Sequence, residues 1–169
     1  MNIKEIFKRR IRQPGGVLHI QTELTARKKV LDKNGVYQYT EDDRHVINKC
    51  VTTAYVNFLA SMHQTAATTI GDFKYHDSGI GTVAEAVGDT GLGTSWGGAR
   101  DIGTQVASTN TYTSVATTTY NATNAITEHG LFNASTGVTL MDRTVFAAIN
   151  VVNTNQIEFT FQITYTAGG

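Results

Sequence analysis

The chain has 169 residues, no formal net charge, 40% apolar and 17% charged residues, and a single cysteine, Cys50. The length suits one domain with a real core, and the lone thiol excludes an intrachain disulfide framework. With no export-signal pattern and no apolar run able to cross a bilayer, the chain reads as made in a reducing compartment and kept out of the membrane.

The charged fraction falls below the usual ~25%, and Thr, Ser, Asn and Gly fill the difference. These residues lower helix propensity and raise strand and turn propensity, so the composition predicts a mainly β, antiparallel chain. Neutrality conceals an asymmetry. Residues 1–50 hold 11 of the 14 Lys and Arg against 6 Asp and Glu, and the remainder carries an equal acidic excess. A basic front and an acidic body favour head-to-tail contact between copies or contact with an acidic neighbour.

At the start, Ile3, Ile6, Phe7 and Ile11 recur at helical spacing beside Lys8, Arg9, Arg10 and Arg12, up to Pro14-Gly15-Gly16. Residues 1–16 are read as a basic arm, helical or extended, that docks on a partner, set against the alternative of a frayed terminus. The rest, 17–169, reads as a single β-rich domain. A hairpin is predicted over 17–41, turning at Asp32-Lys33-Asn34-Gly35. Arg27, Lys28 and Lys29 on its first strand extend the basic, partner-binding set. A helix is predicted over about 43–62, since Val46, Ile47, Cys50, Val51, Ala54, Tyr55, Phe58, Leu59 and Met62 recur at three- and four-residue steps, with Thr40, Asp42 and Asp43 offering N-cap oxygens. Cys50 falls on its apolar stripe, the place of a small buried hydrophobe.

Phe73–His76 reads as a short strand and 77–98 as a long Gly-rich loop. Gly79-Ile80-Gly81 suggests a phosphate loop, but neither Gly-Lys-Ser/Thr nor a helix follows. Four strands are predicted at Tyr112–Tyr120, Ala125–Asn133, Thr139–Ile149 and Gln156–Thr166. In the last, Ile157, Phe159, Phe161, Ile163 and Tyr165 alternate with polar residues, giving one core face and one Thr-rich face. The short connection 134–137 predicts a hairpin register that sets Glu128 directly opposite Arg143, Phe132 opposite Thr139 and Ile126 opposite Val145.

Chemistry is sparse. The five histidines lie singly without metal-ligand spacing, so no metal or other cofactor is expected. His76-Asp77 and Glu128-His129 are neighbours on strands, whose side chains point to opposite faces. No nucleophile elbow surrounds any serine, and nothing in the spacing selects two of the carboxylates Asp72, Asp77, Glu85, Asp89, Asp101 and Glu128 as a catalytic pair. An enzyme is not expected. Nucleic-acid binding is not expected either, because the body is acidic and its aromatics follow core alternation. Trp96, in Ser95-Trp96-Gly97-Gly98, is a candidate sugar platform if exposed and a core or interface residue if not.

The Gly79-Ile80-Gly81-Thr82 and Gly88-Asp89-Thr90-Gly91-Leu92 loop, the strand Ile126-Thr127-Glu128-His129-Gly130-Leu131-Phe132 and the strand Leu140 to Phe146, with its Arg-x-x-Phe, resemble a group of small virion proteins of tailed bacteriophages. The resemblance covers roughly 50–169. It implies an antiparallel β-sandwich or jelly-roll-like domain that carries no catalytic residues. It implies a capsid decoration (cement) protein or a tail, fibre or baseplate component, located in the virion after assembly in the host cytoplasm. The expected partners are the major capsid protein, other virion proteins and copies of itself, with a trimer expected by analogy.

Overall fold

The computed structural model describes residues 18–48, 50–62, 72–137 and 139–167. Two antiparallel five-stranded sheets pack face to face as a β-sandwich. The first sheet is built from β1 (Leu18–Leu31), β2 (Tyr37–Asn48), β6 (Thr104–Ser108), β7 (Thr111–Thr119) and β10 (Gln156–Ala167) in the order β2-β1-β10-β7-β6. The second contains β3 (Cys50–Val51), β4 (Tyr75–Gly79), β5 (Asp101–Ile102), β8 (Asn124–Phe132) and β9 (Leu140–Val151) in the order β3-β9-β8-β4-β5. The basic arm expected at 1–16, with Lys8, Arg9, Arg10 and Arg12, lies outside the described residues.

Alternation in β10 works as the sequence predicts: Ile157, Phe159, Phe161 and Ile163 are fully buried between the sheets with Leu24, Ala26, Ile126, Leu131 and Ile149. Burial of several such side chains, each favourable by about 1.5–3 kcal/mol, is the main force that clamps the two layers together. The N-terminal hairpin forms as expected, with Asp32 Oδ1 accepting from the amides of Asn34 and Val36 across the turn, although its second strand runs on to Asn48.

The helix is present but shorter than predicted. Residues expected to begin it belong to β2 and β3, and α1 spans Thr53–Met62. Thr40, Asp42 and Asp43 are therefore strand residues, and the N-terminal cap is Thr52, whose Oγ1 accepts from the Tyr55 amide at 3.2 Å. Cys50 is half-buried on β3 and not on a helix. Pairing of 44–48 with β1 decides the matter, since residues such as Val46 and Ile47 suit either period and gain a whole ladder as strand. Tyr55, Phe58 and Phe73 form an edge-to-face aromatic group that packs α1 onto the core, with the Tyr55 and Tyr165 hydroxyls bonded to each other.

The β8–β9 register also departs from expectation. Glu128 lies opposite Val145, Gly130 opposite Arg143, Phe132 opposite Leu140 and Ile126 opposite Ile149, with ladder irregularities at 126/128 and 131/132. A short connection fixes register only while the ladder is regular, and each extra residue shifts the pairing.

Besides β3, two short strands went unforeseen. β5 and β6 flank Gly103, where the chain passes from one sheet to the other. A Cβ on Gly103 would lie 2.5 Å from Ser114 Oγ and 2.7 Å from His76 Nε2, so only glycine fits this corner.

Candidate functional site

Three regions hold the residues with chemical potential: the outer face of the second sheet, the gap between the sheets, and the outer face of the first sheet.

On the second sheet, every residue of β8 from Ile126 to Phe132 is buried, because the chain from 80 to 100 lies across the outer side. One carboxylate fastens that cover. Glu128 Oε1 accepts from the amides of Gly81 at 2.9 Å and Thr94 at 2.7 Å, while Oε2 accepts from the Gly93 amide at 2.9 Å and from Arg143 Nε at 2.8 Å. Arg143 Nη2 stands 2.8 Å from the same oxygen and donates to the Val83 carbonyl at 3.0 Å, and Nη1 donates to Asp89 Oδ2 at 2.9 Å. Glu128 and Arg143 thus meet on one face as expected, but as a diagonal pair and not directly opposite. Burial opposes ionisation of Glu128, yet the three amides and the guanidinium outweigh it and hold the carboxyl below its ordinary range.

This explains the glycine motif. A Cβ on Gly79 would sit 2.6 Å from Glu128 Oε1, a Cβ on Gly81 would meet the same carboxylate, and one on Gly93 would sit 2.9 Å from Arg143 Nη2. The backbone comes this close only without side chains. The amide cradle that resembled a phosphate loop in sequence is filled by the protein's own carboxylate.

Between the sheets lies a polar chain that sequence reasoning missed. His76 Nδ1 and His129 Nε2 are 3.0 Å apart, and His76 Nε2 lies 2.8 Å from Ser114 Oγ on the opposite sheet. The His129 ring stacks on Phe159 with centroids 4.5 Å apart. Asp142 and Thr144 of β9 share this inner face and are bonded at 3.2 Å. Burial lowers the His76 pKa to about 3, which keeps the ring neutral. The alternation rule holds here: His76 and His129 face inward, while Asp77 and Glu128 face outward, with Asp77 3.5 Å from Arg100. The rule does not say which strands pair, so this meeting had no sequence signal beyond parity. His76, Ser114 and His129 are all sealed from solvent.

The first sheet keeps an open outer face. Cross-strand rows there read Gln21–Thr164–Thr111–Ser108, Glu23–Gln162–Thr113–Val106 and Thr25–Thr160–Val115–Thr104. Glu23 is the single charge among these twelve positions. A shallow polar dent lies at Gln21, Thr22, Glu23, Gln162 and Thr164. At the β1–β2 border, Arg27 stacks on Tyr39 with its guanidinium 3.9 Å from the ring centroid, and Lys29 is 2.7 Å from Glu158 Oε2. Lys28, half-buried, alternates to the other side. Trp96 is half-buried, edge-on to Tyr120 at 4.9 Å and against Gly98, and so packs on the core margin.

Among the described residues no group of three or more His, Cys, Asp or Glu could hold a metal ion, and no helix is long and apolar enough to cross a membrane. Comparison with protein-family models, curated proteins and solved structures gives no match.

Proposed function

We propose that the protein is a non-enzymatic structural component of a tailed-phage virion, most specifically a capsid decoration protein that lays the outer face of its first sheet on neighbouring subunits. The observation that carries this reading is the division of labour between the two sheets. The groups suited to chemistry, Glu128, Arg143, His76, His129 and Ser114, are spent on one another inside the fold. The first sheet, by contrast, presents an open outer face whose three rows from Gln21–Ser108 to Thr25–Thr104 are rich in hydroxyls and amides with Glu23 as their single charge, bordered on the β1 side by Arg27, Lys29 and Glu158. Such a surface forms hydrogen bonds at modest desolvation cost, and many weak contacts on a lattice add up through effective concentration. The basic residues Lys8, Arg9, Arg10 and Arg12 would supply a second, electrostatic contact to an acidic neighbour. The resemblance noted in the Gly-rich loop and in β8 and β9 supports the same assignment.

Co-sedimentation of the purified chain with emptied heads of the source phage tests this. Saturable binding at many copies per head is expected, weakened at least tenfold by Thr113→Lys together with Thr160→Lys, which place charge on the open face without touching the core. Absence of binding to heads contradicts it. A glycan-binding tail component is the second reading, favoured by the half-buried place of Trp96 in the Gly-rich loop. Quenching of Trp96 fluorescence by host surface glycans would then be seen in place of head binding.

A further inference from the structure

We infer that β6 is a self-pairing edge: two copies of the chain join β6 to β6, antiparallel about a two-fold axis at Val106, and merge their two five-stranded first sheets into one. The inference rests on the chemistry of the edge and is independent of where the protein resides.

A strand at the border of a sheet presents a row of unpaired amides and carbonyls, and proteins usually blunt it with charge, proline, a bulge or a cover. The first sheet has two borders, β2 and β6, and they are treated differently. β2 carries Glu41, Asp42, Asp43 and Arg44 in succession, and its pairing with β1 is irregular between Arg27 and Lys29. Among the described residues the β6 border carries none of these devices. From Ile102 to Ser108 the sequence is Ile-Gly-Thr-Gln-Val-Ala-Ser, without charge or proline, and its ladder to β7 is regular through all five pairs. Every β6 residue is exposed, Val106 at 58%, and the neighbouring Ile102 at 68%.

Self-complementarity selects a second copy as the occupant. With the axis at Val106, Val106 meets its own counterpart, Thr104 meets Ser108 and Gln105 meets Ala107. Valine packs on valine and hydroxyl faces hydroxyl on the outer face, which are favourable cross-strand pairs, and no like charges oppose. An edge of five residues buries less than an ordinary stable interface, so the dimer is weak and forms fully where copies are crowded. The arrangement closes at two copies, not at the trimer expected by analogy. It doubles the width of the open Thr-rich face.

Sedimentation velocity of the full chain across a concentration range up to about 0.5 mM is the test, with Val106→Lys and, as a charge-matched control on the exposed Val83, Val83→Lys. A monomer–dimer equilibrium is expected for the wild type and for Val83→Lys, with at least tenfold weaker association for Val106→Lys. In a Cys50→Ser background, Val106→Cys is expected to oxidise to a covalent dimer, since directly opposed strand residues fall within disulfide reach, and Val83→Cys is not. A monomer throughout, a trimer, or a dimer indifferent to Val106→Lys overturns the inference.

Discussion

Glu128 shows how one side chain organises a region of more than a dozen residues. Its carboxylate gathers three loop amides and a guanidinium, so a segment without regular structure becomes a fixed cover on β8. Removing one member of a buried pair strands the other, at a cost of roughly 3–5 kcal/mol. Glu128→Gln should therefore lower the unfolding free energy by that order, because an amide nitrogen would face donors that now meet an oxygen. Urea denaturation measures it, and a loss below about 1 kcal/mol would contradict the arrangement. Arg143→Met should cost a similar amount, and the double variant less than the sum, as coupled residues behave. Both residues and the glycines stand out in the sequence separately. What joins them is a contact spanning 34–47 residues, which no local pattern encodes.

At the scale of elements, strands with clean alternation were legible, and β7, β8, β9 and β10 lie within a residue or two of their expected bounds. The failures share a cause. Residues 43–51 contain apolar positions that serve a helix or a strand equally, and pairing with β1 and β9 decided between them. β5 and β6 are too short and too uniform to show a period. Within the site, parity correctly sends His76 and Asp77 to opposite faces, but the meeting of His76 with His129 and Ser114 depends on strand order, which is a tertiary outcome. The helix start is testable. Thr52 accepts from the Tyr55 amide and donates to the Leu140 carbonyl at 2.5 Å, so Thr52→Ala should destabilise by about 1–2 kcal/mol, read by thermal or urea unfolding. No change on that substitution would contradict the cap.

The whole molecule is two sheets joined by a largely apolar core crossed by polar contacts, and the His76–Ser114 contact makes stability sensitive to acid. The His76 pKa is about 3 in the folded chain against an ordinary value near 6.5, so below about pH 6.5 the unfolded state takes up a proton that the folded state refuses. Its contribution is complete above that pH and is lost progressively toward pH 3. Glu128 and Asp89, held low by their partners, add losses of the same sign further down, while Asp77 and Asp101, raised by burial, act in the opposite sense there. The melting temperature should accordingly fall between about pH 6.5 and 5, ahead of the carboxylates, and a flat profile over that interval would contradict the neutral, buried ring. The proposed function gives the exposed face of the first sheet to contact with a partner. The central claim, that the contact is with a phage head, is tested most directly by counting copies of the chain in purified virions by quantitative mass spectrometry against the major capsid protein. The account predicts a fixed ratio of the order of one copy per capsid subunit or per capsomer, whereas a handful of copies per particle, or none, would contradict it.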